Sequence, residues 1–534
     1  MPCLSGVRDK NVNSKYKMIT KFNLAIAIVL LSMQSLIAQD YKPSFIKTDK
    51  LKKDVAYFNS IDSGDVQNYV PNDKAYDWIL QNTPLFECPD STIQTVYNYR
   101  WWTFRKHLKQ TPEGFVFTEF IIPVSHAGKY NAISSALGHQ VYEGRWLHDP
   151  KYIQQYLNFW FFVDSKEKKQ FLHRFSGWVE DAVYNFYLVN NDLNYVKSVM
   201  PAMDADYRLW EEERRFPDGL FWQYDVKDAM EESISGSRKF RNKRPSINSY
   251  MYGNAVAMAK MATLTGTDSL KGRYTNKATE IKNGVENKLW SNKDSFFETG
   301  MEKGDTLANA REAIGFTPWY FNLPDDNDKF AKSWSQITDT AGFMAPWGLT
   351  TAERRHPQFR THGVGKCEWD GAIWPFASTQ TLKGLSHLLT DYKHKGAMTP
   401  QIFYNAFHTY ASSHQMDGVI YIGEYQDEKT GAWLKGNNPR SRYYNHSGFC
   451  DLVINDLVGF KPRTDNKIDV DPLLPANQWD WFCLENITYH GKQVSILWDK
   501  DGKKYDKGKG FHIYVDNKEV YQGKQLKHVT VDLK

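Results

Sequence analysis

Apolar positions recur at intervals of three and four through the middle of the chain, the spacing of helices that bury one face. Over residues 177–189, Trp178, Val179, Ala182, Val183, Phe186 and Tyr187 share a face. Over residues 247–264, Ile247, Tyr250, Met251, Ala255, Met258, Ala259 and Ala262 do the same, and Gly266 supplies a stop. Residues 278–289, with Ile281 and Val285, repeat the pattern, as do residues 373–389 and 449–457. Long connections rich in aromatic and charged residues separate these helices. Loops of that length in a compact domain usually carry function. The period changes near residue 465. Short β-type runs follow at 493–498, 511–515 and 528–531, with turn residues at Asp501-Gly502 and Gly508-Lys509-Gly510. The spacing predicts a mainly α domain over residues 39–465 and a small antiparallel β-domain over 466–534, with a further β-type stretch at 114–123.

Composition narrows the function classes. Hydrophobic residues at 41% and charged residues at 24% are those of a soluble globular chain. A net charge of +5 spread over 534 residues leaves only isolated basic runs, such as Arg238 to Arg244. Nucleic-acid binding needs a basic stripe or a recognisable module, and neither is present. Lys17 and Lys21 precede an apolar run over 22–37 that ends in Ala38, the layout of a secretory leader over residues 1–38, with Met18 as an alternative start. The run is too short and too interrupted for a comfortable membrane span, and an N-terminal anchor is the alternative reading. The expected location is periplasmic or secreted, with the protein a monomer or small oligomer. Cys88, Cys367, Cys450 and Cys483 are far apart and lack the CxxC spacing of a zinc site. No His pair has ligand spacing on a helix, so neither a metal nor a cofactor is expected.

The chain holds 18 Trp, 31 Tyr and 31 Phe, enough for a large aromatic core and for rings that stack on sugars. Three loop segments join such rings to carboxylates. Residues 218–236 carry Trp222, Tyr224, Asp225, Asp228, Glu231 and Glu232. Apolar neighbours or a second carboxylate there would keep a carboxyl protonated near neutral pH, as a general acid requires. A solvated acidic turn is the alternative. Residues 423–431 place Glu424 and Tyr425 after an apolar run, so that Glu424 either ends an extended segment in a cleft or sits in an ordinary hairpin. Residues 367–375 flank Asp370-Gly371 with Trp369 and Trp374. Asp370 is a helix cap or a ligand for sugar hydroxyls.

Several short segments in shared order resemble the (α/α)6-toroid glycoside hydrolases similar to bacterial mannosylglycerate hydrolase and glycoside hydrolase family 63. They are Asp228-Ala229-Met230-Glu231, residues 244–252, residues 369–375, Gly423-Glu424-Tyr425 and residues 444–448, with Thr118-Glu119-Phe120 and residues 139–147 as N-terminal elements. The resemblance implies a six-hairpin toroid and an exo-acting, inverting hydrolase of oligo- or polysaccharides. It also implies Glu424 as general base and Glu231 as general acid. Family 63 has Asp at the acid position, which keeps Asp228 as the competing acid. Trp222, Tyr224, Trp369, Asp370, Trp374, Arg145, Tyr425, Asn445 and His446 are the expected substrate contacts.

Two other readings use the same residues. A polysaccharide lyase on a toroid would abstract a proton with Tyr443, Tyr444 or His446 and leave an ultraviolet-absorbing double bond. A non-catalytic carbohydrate-binding protein would keep the aromatic rings without needing Glu424 and the acidic segment together. Arg100, Arg145, Arg354 and Arg442 are candidates for binding an acidic glycan, and surface pairing explains most arginines equally well.

Overall fold

The computed structural model describes residues 41–66 and 69–533, and its helices begin where the sequence places caps and prolines. Asp90 caps Ser91–Lys106 through the N–H groups of Thr92 and Ile93. Pro245, Pro375 and Pro400 open their helices at positions whose N–H has no helical partner. Gly266 closes Pro245–Thr265 in the left-handed region at φ 72°. Residues 43–534 form one compact unit. The leader expected over residues 1–38 lies outside the described residues.

Six helical segments form an inner ring: Leu137–Gly144, Val179–Asn190, Pro245–Thr265, Ala313–Phe316 running into Thr317–Tyr320, Pro375–Asp391, and the π-type turns Leu452–Leu457. Each packs on the next, and outer helices such as Lys151–Asn158, Leu193–Arg214, Asp268–Lys288 and Pro400–Ser412 follow them in hairpins. This is an (α/α)6 toroid. The predicted face Trp178, Val179, Ala182, Val183, Phe186 and Tyr187 is buried throughout. Gly138 lets the first two inner segments approach closely, because a Cβ there would meet the Trp178 ring at 2.1 Å.

Polar groups close the ring. The Glu143 carboxylate accepts hydrogen bonds from the N–H groups of Phe449, Cys450 and Asp451, capping the last inner helix. Arg145 pairs with Asp451 at 2.7 Å, and Lys383 reaches Asp451 at 2.7 Å and Asp456 at 2.6 Å. Much of the tryptophan serves the core: Trp101, Trp102, Trp146, Trp160, Trp178, Trp319 and Trp334 are fully buried.

The β region is antiparallel as predicted, and it extends beyond residues 466–534. Its five-stranded sheet takes its first strand from Leu85–Glu87, which pairs with Trp481–Tyr489. Lys492–Asp499, Gly510–Val515 and Lys518–Gly523 follow in order. A three-stranded sheet joins Phe460–Lys461, Lys467–Val470 and Val529–Asp532. The Glu485 carboxylate accepts from the N–H groups of Ser44 and Ile46, tying the start of the compact unit to this sheet. Cys88, Cys367, Cys450 and Cys483 are all free thiols.

Candidate active site

The segments that lead into the inner helices converge on one cavity of about 270 Å³. Its carboxylates are Glu119, Glu231 and Glu424, and its rings include Trp369, Trp374 and His446. Glu119 follows the strand Gly114–Phe117, Glu231 lies between the turn Asp225–Lys227 and the helix Pro245–Thr265, and Glu424 follows the hairpin that ends at Val419–Ile420.

Glu231 sits on a strained loop. Ala229 and Glu232, two and one residues away, have φ values of 55° and 63°. Such left-handed conformations cost non-glycine residues about 1–3 kcal/mol each. The cost is met by a dense bonding pattern. The Asp225 carboxylate accepts from the N–H groups of Val226 and Glu232, and the Asp225 carbonyl accepts from the N–H of Met230. Burial pushes the Glu231 carboxyl up to about 7, and the charges of Asp225 and Glu119 add to the shift.

Asp228, the competing acid, does not line the cavity. Its carboxylate accepts from Arg244 Nε at 2.8 Å and from the Ser246 hydroxyl, with both ion-pair partners fully buried. It anchors the Glu231 loop to the start of Pro245–Thr265.

Glu424 is 3% exposed, takes a 2.5 Å hydrogen bond from Ser441 Oγ, and lies 3.5 Å from Arg440 Nε. Its segment pairs with the tryptophan segment through two backbone hydrogen bonds between Ile373 and Gln426. Trp369 and Trp374 stack at 4.5 Å between centroids, and Tyr425 stacks on Trp374 at 4.5 Å. The two tryptophans face the cavity, while Tyr425 supports them from behind and does not line it. His446 lines the cavity with both ring nitrogens unpartnered, and burial holds it well below its ordinary pKa, with His139 and Arg100 adding.

Five further expected contacts lie elsewhere. Trp222 and Tyr224 pack on each other, with the Arg214 guanidinium 4.7 Å from the Trp222 centroid. Asp370 neither caps the helix nor reaches the cavity: its carboxylate accepts from the N–H groups of His362 and Gly363 and holds that loop. Arg145 is consumed by the ring closure with Asp451. Asn445 donates to the Thr118 carbonyl, and its own N–H donates to the Glu119 carbonyl, so it positions the Glu119 segment. Of the arginines considered for an acidic glycan, Arg100 donates to the Ser447 carbonyl, Arg354 to the Thr340 carbonyl, and Arg442 pairs with Asp65. Among the lyase candidates, Tyr443 bonds Asp62 away from the cavity, and the Tyr444 hydroxyl donates to Glu119.

The residue missed by sequence reasoning is Glu119. Tyr444 and Ser135 donate to its two carboxylate oxygens, and burial pushes it up to about 7, with the Glu424 charge adding to the shift. Its sequence mark is the acid of Thr118-Glu119-Phe120 at the end of a β-type stretch.

The mannosylglycerate hydrolase MGH1-like glycoside hydrolase domain model matches residues 129–447, more than half of the chain. The chain belongs to this family. A second model, the glycosyl hydrolase family 65 C-terminal domain, matches residues 461–521 and covers most of the β region. A solved structure described as a sialidase is 46% identical, with a TM-score of 0.89 over 91% of this chain and 45% of that one. The chain therefore spans less than half the length of that relative. The GH63 mannosylglycerate hydrolase from Thermus thermophilus, solved with glucose, is 14% identical with a TM-score of 0.51, covering 67% of this chain and 98% of that one. That level of identity shows a shared fold. An uncharacterized protein of Borreliella burgdorferi is 21% identical over 360 residues, which is 65% of this chain and 69% of that protein. Within the family fold, the first three inner helices and the segments before them carry Glu119 and Glu231, and the last two carry the tryptophan stack and Glu424.

Proposed function

We propose that this protein is an exported, exo-acting, inverting glycoside hydrolase. The observation that carries the reading is one cavity in which Glu231, raised to about 7, and Glu424, beside Arg440, meet from loops far apart in sequence. Glu231 stays protonated up to near-neutral pH and gives its proton to the leaving glycosidic oxygen. Glu424 takes a proton from a water on the opposite face of the sugar ring as that water attacks the anomeric carbon. The bond to the leaving oxygen breaks, and the configuration inverts. Trp369 and Trp374 supply an apolar face for the ring, and Glu119 accepts hydrogen bonds from its hydroxyls.

The test is release of reducing ends from a panel of plant and algal oligosaccharides, with products identified. Release of single sugars by the wild type and none by Glu424→Gln is the expected result. Ultraviolet-absorbing unsaturated products would instead favour a lyase. Export predicts that protein from the native host begins just after Ala38. An intact N-terminus in the cytosolic fraction would overturn that part alone.

A further inference from the structure

Among the described residues, two cations in the cavity wall lack an anionic partner. Arg174 ends the turn Leu172–Arg174, and Lys227 ends the turn Asp225–Lys227, four residues ahead of Glu231. Both line the cavity, and both charges lie 5.9 Å from the centroid of the Phe175 ring. Arg174 Nε is buried without a hydrogen-bond partner, and neither side chain forms an ion pair among the described residues. The part-buried Arg360, by contrast, is compensated by Glu368 and Glu428. The uncompensated pair has a cost. Burial lowers the Lys227 ammonium pKa, and repulsion from Arg174, Arg214 and Lys169 lowers it further. A bound anion would relieve that repulsion, and a planar guanidinium fork beside a point-like ammonium suits a carboxylate.

Position identifies which sugar carries the anion. A general acid stands on the leaving-group side of the scissile bond, and Lys227 shares its loop with Glu231. Phe175 lines the same cavity within 5.9 Å of both charges and supplies apolar surface beside them. We propose that Arg174, Lys227 and Phe175 form a subsite for a uronic acid residue in the leaving group, so that the substrate is an acidic glycan. This rests on the glycosidase reading for the direction of the subsite, and on the unpaired cations for its chemistry.

The test is equilibrium binding of methyl glucuronoside and methyl galacturonoside, with methyl glucoside, methyl galactoside and galactose 6-sulfate as comparisons. Calorimetry reads it, with wild type, Arg174→Gln, Lys227→Gln, the double variant and Arg174→Lys, all checked for folding by circular dichroism. Loss of a charge-assisted hydrogen bond should cost about tenfold in affinity. The expected result is a uronoside preference of about tenfold or more in the wild type, weakened by salt, reduced in each single Gln variant and absent in the double variant. Arg174→Lys, which keeps the charge without the fork, should retain part of it. Equal binding of neutral and acidic glycosides by the wild type, or a preference that survives the double substitution, would overturn the proposal. Tight binding of the sulfated sugar with no uronoside preference would overturn the carboxylate assignment. Binding needs no turnover, so the two readings fail separately. Hydrolysis of neutral glycans without uronate preference counts against the subsite alone. Uronate binding without hydrolysis of any glycan counts against the glycosidase reading alone.

Discussion

At the scale of single residues, three carboxylates share one cavity and have different surroundings. Glu424 has a guanidinium and a serine hydroxyl beside it, whereas Glu231 is walled in near other carboxylates. On the proposed mechanism Glu424→Gln keeps the side-chain shape and removes the base, so turnover should fall by about 10²–10⁴-fold with an unchanged melting temperature. Near-normal turnover would remove Glu424 from the reaction. Activity should also fall as pH rises through about 7, because the acid form of Glu231 is then lost. Glu119 contributes to that raised value, so Glu119→Gln should move the alkaline limb of the pH profile to lower pH. The sign for stability follows from the same shift. Glu119 is held at about 7 against 4.5 when unperturbed, so its contribution is full below 4.5 and lost as pH rises through 7. Wild type should lose stability between pH 5 and 8, and Glu119→Gln should lose less, as read by urea midpoints at the two pH values.

At the scale of elements, the loop carrying Glu231 shows why neighbouring acids have different roles. Asp225 and Asp228 lie within a few residues of Glu231, yet both are spent on holding the loop. Asp228→Asn leaves the buried Arg244 without its counter-charge, and breaking such a pair costs about 3–5 kcal/mol. The expected outcome is a less stable enzyme whose kcat falls more than its KM rises, since the acid is misplaced and the sugar contacts remain. A variant of wild-type stability would overturn that anchoring role. Arg145 makes the opposite case. It closes the helical ring, so Arg145→Met should lower stability by about 3 kcal/mol, softened by Lys383, which also reaches Asp451. KM should be unaffected, whereas a direct substrate contact would raise it.

At the scale of the whole molecule, the toroid brings Glu231 and Glu424 to one cavity. Inversion requires a gap of about 6.5–9.5 Å between the two carboxyls, wide enough for a water. On the proposed inverting mechanism, proton NMR of the first product formed should show the anomeric configuration opposite to that of the substrate. Retention would mean that Glu424 attacks the sugar directly. The helices were legible in the sequence because each must bury a continuous apolar face, and periodicity records that local demand directly. The β-type runs were legible for the same reason, but the strand Leu85–Glu87 was not. A three-residue strand has too few positions to show alternation, and its partner lies some four hundred residues away. The site was legible in part. Glu231, Glu424, Trp369, Trp374 and His446 stand in segments that join acids to rings, and the structure places all five at the cavity. Trp222, Tyr224, Asp370, Tyr425 and Asn445 stand in the same segments and do not line it. Side-chain direction in an irregular loop depends on what packs behind it, and no local period encodes that. Taken by itself, the sequence determined the apolar faces of five helical segments, the α-then-β order and the segments able to supply acids and aromatic rings, because these follow from local propensity and from the burial of one face. Only the tertiary structure decided which acids reach the cavity, which are consumed in ion pairs, and which cations stay unpaired. Those outcomes depend on distances between residues remote in the chain, and the energy of a charge is set by the partners and burial it finds there.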